Sequence, residues 1–121
     1  MAGGIYRAVD RAAERGCETF QIFCGNPRGW AFSSRDEDEI DAFLEGCRDQ
    51  ALSPVFIHAC YLVNPCATDE EVRERSIDRL AKELELSARL GASGYVLHPG
   101  SARDQELEWT ITRAASTIAP A

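Results

Sequence analysis

Hydrophobic positions along the chain follow two alternating rhythms. Ile5, Ala8, Val9, Ala12 and Ala13 recur at intervals of three and four, the period of one helical face, and Gly16 stands where such a helix would stop. This predicts a helix over residues 4–16. The period then changes: Thr19-Phe20-Gln21-Ile22-Phe23 is rich in β-branched and aromatic residues and is broken by Gly25-Asn26-Pro27, which predicts a strand and then a loop from Gly25 to Ser34. Ser34-x-x-Glu37 has the form of a capping box, in which a hydroxyl accepts from an orphan amide while the carboxylate reaches back to the cap. Behind it Ile40, Phe43, Leu44 and Cys47 mark the buried face of a second helix. The acid-rich stretch from Asp36 to Glu39 falls at the positive end of that helix's dipole, where a solvated first turn accounts for it.

The same alternation continues to the end of the chain. Pro54-Val55-Phe56-Ile57-His58 predicts a short buried strand entered through proline and ending at His58. A loop to Ala67 follows. Thr68-x-x-Glu71 is a second capping box, opening a helix to Leu90 with Ile77, Leu80, Ala81, Leu84 and Ala88 on its predicted buried side and Gly91 as its stop. Tyr95-Val96-Leu97-His98 repeats the strand pattern, Pro99-Gly100-Ser101 turns, and Leu107, Ile111, Ala114, Ala115 and Ile118 predict a last amphipathic helix.

Helices alternating with near-continuous apolar strands are the signature of parallel βαβ units, so the fold class is α/β. A (β/α)8 barrel takes about 250 residues. The 121 residues therefore predict one unit, residues 1–121, that is part of such a barrel: about three parallel strands alternating with four helices, with the first strand missing. Such a piece would carry two unpaired sheet edges and an uncovered face, and self-association through those edges is expected.

Composition narrows the classes. Apolar residues make up 45% and charged residues 27%, which excludes collagenous and low-complexity chains. No apolar run approaches the roughly 18 residues of a membrane span and no signal core follows Met1, so a cytoplasmic location without a membrane partner is expected. The five cysteines are odd in number and contain no Cys-x-x-Cys pair, which argues for reduced thiols over a disulfide framework or zinc knuckle. Lys and Arg number 13 against 20 Asp and Glu, a net charge of −7 that excludes a general basic coat and leaves room for a local basic groove.

Candidate chemistry concentrates on two histidines, the chain's full complement. Each closes an apolar strand, Phe56-Ile57-His58 and Val96-Leu97-His98. In parallel α/β folds the C-terminal strand ends floor the active site, so imidazoles from successive units can converge on one ion. The competing reading of each is a hydrogen-bonded packing residue. Asp104 is a further candidate ligand, with a helix N-cap as its plainer role. Arg28 and Trp30, and Tyr61-Leu62, fall in loops on the same face, where an arginine beside aromatics can contact phosphates and stacked bases. A rim-plugging Trp30 and a solvated Arg28 are the alternatives.

Ala2-Gly3-Gly4-Ile5, Asn26-Pro27-Arg28-Gly29-Trp30, His58-Ala59-Cys60-Tyr61-Leu62-Val63-Asn64 and His98-Pro99-Gly100-Ser101 together resemble endonuclease IV, the zinc-dependent apurinic/apyrimidinic endonucleases. The resemblance implies a (β/α)8 barrel of the xylose isomerase-like kind holding three zinc ions. Its implied reaction is hydrolysis of the phosphodiester 5′ to an abasic site in double-stranded DNA, a step of base excision repair in which metal ions activate water and stabilise charge on the phosphate. By motif position His58 and His98 correspond to two histidine ligands of one zinc. Arg28, Tyr61 and Leu62 correspond to elements that enter the minor groove at the lesion, where a missing base makes unstacking cheap.

The same resemblance has the chain begin inside the family's first motif and stop before the strand whose glutamate bridges two zincs. Ala102-Arg103 also replaces a histidine that many relatives carry after the turn. It follows that the zinc site here is partial, no catalytic set is complete, and the isolated chain is expected not to cleave. Two other readings compete: a sugar isomerase or epimerase of the same barrel superfamily, and a non-catalytic half-barrel module that pairs with another half.

Overall fold

The structure, a computed structural model, describes residues 4–120. Ala2 and Gly3 of the first quoted motif lie outside the described residues. Seven elements alternate: α1 (Arg7–Glu14), β1 (Phe20–Phe23), α2 (Glu37–Asp49), β2 (Val55–His58), α3 (Glu70–Arg89), β3 (Gly94–Val96) and α4 (Leu107–Ile118). The strands form one parallel sheet in the order β1-β2-β3, with Phe23 paired to His58 and His58 to Val96. This is the three-stranded, four-helix part-barrel that the periodicity predicts.

Strand alternation sorts the side chains. Ile22, Val55 and Ile57 point to the helical layer and form a core with Ile5 just before α1 and Val9 within it, Ile40 and Phe43 of α2, and Leu86 and Leu90 at the end of α3. Their neighbours Phe23, Phe56 and His58 therefore face the other way, toward what is the inside of a barrel. A Cβ on Gly94 would lie 3.0 Å from the Phe56 ring, so β3 needs a residue without a side chain at that point on the inner face. A smaller cluster of Cys60, Val63 and Leu80, with Leu62, Tyr95 and Leu97 packed against it, supports the loop after β2.

Local expectations fare unevenly. The predicted caps are displaced: Asp36, not Ser34, accepts from the Glu39 amide, and Asp69, not Thr68, accepts from the Val72 amide. In each case the hydroxyl residue has an aspartate one or two positions downstream, an equally good N-cap nearer the first periodic residue. The acidic run is not merely solvated either. Glu39 accepts from the Ile5 amide at 2.7 Å at the start of α1, and Glu37 pairs with Arg89 of α3. A carboxylate on α2 thus satisfies an orphan donor of the preceding helix.

The fully buried face of α3 shares only Leu80 with the predicted one, and that of α4 shares no residue with it. On α3 the fully buried set is Ser76, Arg79, Leu80, Glu83, Leu86 and Ser87, while Ile77, Ala81 and Leu84 are half-buried and Ala88 is exposed. On α4 the apolar stripe faces out, with Leu107 73%, Ile111 60% and Ile118 41% exposed. Polar residues make its contact with α3: Arg73 donates to Thr117 Oγ1 at 3.1 Å, and Arg113 pairs with Glu70 at 2.6 Å. Among the described residues no helix is long and apolar enough to cross a membrane.

Candidate metal and nucleic-acid site at the strand ends

The loops leaving the C-terminal ends of β1, β2 and β3 converge, as parallel βα units require. His58 is the last residue of β2 as predicted, but β3 ends at Val96, so His98 lies two residues beyond it in the following loop. The rings still meet: His58 and His98 centroids are 5.1 Å apart. His58 is buried and His98 exposed, so one imidazole is fixed in the floor and the other stands above it.

His58 Nδ1 lies 2.8 Å from the Ala59 carbonyl oxygen. A carbonyl only accepts, so Nδ1 is the donor, which in the neutral ring leaves Nε2 as the ligating nitrogen, the arrangement of a metal-ligating histidine whose orientation is set by its second nitrogen. Phe23 and Tyr61 hold the ring from the sides, with centroids 5.0 and 5.6 Å from it and 5.1 Å from one another. Among the described residues no group of three or more His, Cys, Asp or Glu is placed to hold a metal ion. A catalytic zinc takes three protein ligands. The two imidazoles therefore fit as a nitrogen pair within a larger donor set, and do not close one by themselves. Asp104, exposed in a turn, joins no such group, and its plainer role as N-cap of α4 falls to Glu106, which makes no side-chain cap bond.

A cleft of about 510 Å³ opens beside the histidines, lined by Tyr61, Asn64, His98 and Ser101 among others. Asn64 is its keystone. Its Oδ1 accepts from the Cys66 and Ser101 amides at 3.1 and 2.9 Å, and its Nδ2 donates to the Ser101 carbonyl at 3.0 Å. The asparagine closing the His-x-x-Tyr-Leu-Val-Asn segment thus grips the backbone of the His-Pro-Gly-Ser turn. Gly100, at φ +93°, lies against this grip, and a Cβ there would fall 2.1 Å from Asn64 Oδ1.

Tyr61 is 56% exposed, and Arg28 is exposed on the neighbouring loop. The two loops are tied directly, since the Tyr61 amide donates to the Pro27 carbonyl at 2.9 Å. Trp30 is half-buried beneath the Arg75 guanidinium, 5.3 Å from its ring centroid, which gives it a packing partner and adds a cation to this rim. Leu62 is half-buried against the smaller core and does not project freely.

Sequence reasoning missed what lies below the loops. Arg79 and Glu83, 1% and 0% exposed in their side chains, form a buried ion pair at 2.9 Å. Tyr95 donates to Glu83 Oε2 at 2.5 Å, and burial, the bond to Glu83 and that carboxylate's charge all push its phenol upward, so the hydroxyl stays protonated as a donor. The available signal was phase: Arg79 and Glu83 share the face of Ser76 and Leu86, one position off the Ile77-Leu84 stripe.

The five cysteines are free thiols. Cys24 is pushed up to about 11, chiefly by burial, and Cys66 upward for the same reason, so these behave as small buried groups rather than nucleophiles. Cys47, predicted in the core, is half-buried at its margin.

Comparison with known proteins agrees with the geometry. Residues 9–121 match the family described as xylose isomerase-like TIM barrel. "Probable endonuclease 4" of Halothermothrix orenii is 35% identical over 118 residues, and that of Methanoculleus marisnigri 40% over 118, each alignment taking 98% of this chain and 42% of the relative. The crystal structure of endonuclease IV from Thermus thermophilus superposes with a TM-score of 0.81 at 36% identity, over 98% of this chain and 44% of that one. The chain spans about two-fifths of the length of the curated relatives it matches. It belongs to the xylose isomerase-like TIM barrel family, and within that family the proteins it resembles are endonucleases IV.

Proposed function

We propose that this chain carries the part of a zinc-dependent endonuclease that binds double-stranded DNA at abasic sites and supplies two ligands of its metal cluster. The carrying observation is the paired imidazoles, 5.1 Å apart, one ending β2 and the other in the loop just after β3, with His58 Nδ1 2.8 Å from the Ala59 carbonyl oxygen. His58 and His98 would hold one zinc, and such an ion supplies Lewis acidity toward a phosphodiester and its attacking water. The residues themselves orient. Phe23 and Tyr61 keep the His58 plane fixed, and Asn64 holds the turn bearing His98 against the Tyr61 segment. Arg28 contacts backbone phosphate, and the exposed Tyr61 fills the gap left by a missing base, with Leu62 backing it from the smaller core.

A large ligand suits this rim better than a free sugar. Tyr61 lines the cleft at His98 whereas Arg28 stands exposed outside its lining, so a ligand that engages both extends beyond the cleft, as a duplex does. This favours the nuclease reading over a sugar isomerase or epimerase. The two histidines alone do not make a catalytic set, so the 121-residue chain is expected to bind without cutting.

The test is fluorescence anisotropy with two duplexes that differ by one abasic site. Tighter binding of the abasic duplex, weakened about tenfold or more by Arg28→Ala or Tyr61→Ala, is the expected result, each good contact contributing about 1–3 kcal/mol. Equal affinity for both duplexes would sink the lesion-reading role. Chelator-sensitive nicking by the chain with added zinc would show instead that its metal set is complete.

A further inference from the structure

Arg79 is almost fully buried, yet its guanidinium spends little of its hydrogen-bonding capacity on its ion-pair partner. Nε donates to Glu83 Oε1 at 2.9 Å. Nη1 donates to the carbonyls of Gly29, Trp30 and Ala31 at 3.2, 3.3 and 2.9 Å, and Nη2 donates to that of Asn26 at 3.3 Å. The loop that carries Arg28 is therefore wrapped around one cation through four of its own carbonyls. Glu83 does the complementary work on the other loop: its Oε2 accepts from the Cys60 amide at 3.1 Å, immediately before Tyr61, and from the Tyr95 hydroxyl at 2.5 Å.

A buried charge needs compensation, and here each member of the pair receives it from a different surface loop. We infer that Arg79 and Glu83 are positioning residues that fix the separation and relative height of Arg28 and Tyr61, with Tyr95 bracing Glu83 from β3. The inference rests on the proposed lesion-reading role of those two residues for its purpose, and on the hydrogen bonds alone for its mechanics. The planar fork of arginine is essential to it. A lysine at 79 would keep the charge beside Glu83, but its single ammonium cannot span carbonyls from Asn26 to Ala31.

The experiment uses the 121-residue chain with Arg79→Lys and Tyr95→Phe, each checked for its thermal transition and followed by amide hydrogen exchange. In Arg79→Lys, exchange in residues 26–31 and 59–62 should rise together by tenfold or more, while the β1 and β2 amides rise no more than global stability dictates. The preference for an abasic over an intact duplex should fall at least fivefold, toward that of Tyr61→Ala, at a temperature where the variant is fully folded. Tyr95→Phe, which removes one donor and keeps the ring, should accelerate 59–62 by a few fold and leave 26–31 alone. If Arg79→Lys does not fold, the Tyr95→Phe pattern decides.

Unchanged exchange in both loops overturns the inference. So does acceleration spread evenly over the molecule, since that is what a merely structural ion pair would give. If the unaltered chain has no preference for the abasic duplex, the lesion-reading proposal falls, and the exchange measurements by themselves decide the positioning.

Discussion

The grip of Asn64 on the His98 turn can be tested as a pair with Gly100. Asn64→Ala removes three hydrogen bonds, to the Cys66 amide and to both backbone groups of Ser101. At about 1 kcal/mol net each, less what water restores at a half-buried site, the cost is roughly 2–3 kcal/mol. Gly100→Ala faces two separate penalties. A non-glycine residue at φ +93° costs of order 1–3 kcal/mol. The new Cβ would also sit 2.1 Å from Asn64 Oδ1, so the amide must swing away and most of the same grip is lost. Gly100→Ala alone should therefore cost about 3–5 kcal/mol. In the double variant the grip is lost once, not twice, so the total should fall short of the sum of the singles by about 2 kcal/mol. Urea unfolding followed by circular dichroism, with the four proteins compared at constant slope, reads this directly. Additivity within about 0.5 kcal/mol would refute the reasoning, because it would mean that Gly100 answers only to its own backbone.

Two further outcomes follow from the α3–α4 contact and from the faces of the helices. Glu70 accepts from Arg113 and Arg73, and those hydrogen bonds hold its carboxyl below the usual carboxylate range. Its contribution is complete above the unfolded-state value and lost as pH falls through the lower folded value, so the exchange protection factors of residues 107–118, corrected for the intrinsic pH dependence of exchange, should fall on acidification; Glu70→Gln should remove most of that change, and an unaltered profile would refute the link. Ile111→Lys should change unfolding stability by no more than about 0.5 kcal/mol because the side chain is 60% exposed, whereas Ile57→Ala, at a fully buried position, should cost about 2–5 kcal/mol; a large loss for Ile111→Lys in a dilute monomer would overturn the outward placement of the α4 stripe.

The contrast between those two isoleucines marks how far periodicity carries. On β1, β2 and α2 the predicted apolar face is the buried one, because the face each turns toward the helical layer meets residues of the described chain: Ile22, Ile57 and Phe43 share one core. Phase alone determines burial there. Helix α4 has an equally regular stripe of Leu107, Ile111 and Ile118, but its contact with α3 is made by Arg73, Arg113, Glu70 and Thr117. Hydrophobic period reports which face a helix can bury, and not which neighbour is there to bury it.

Helix α3 fails for the opposite reason. Its buried face includes a paired Arg79 and Glu83, which an apolar count scores as solvent-facing, so the predicted stripe slides to Ile77 and Leu84. Charges go inside only when every lone pair and proton finds a partner, and the partners here are carbonyls 48 to 53 residues away and an amide 23 residues away. No local pattern encodes partners at that distance. The same limit separates the two halves of the site. His58, Arg28 and Tyr61 could be picked out as candidates from residue type and strand ends, because parallel βα topology sends all such loops to one face. Asn64, Glu83 and Arg79, which decide how those residues stand relative to each other, act through backbone groups, and every residue in the chain has those. The chemistry of a site can be read from its side chains, but the geometry that makes it specific is held by bonds to the main chain, and these become visible once the fold has brought distant segments together.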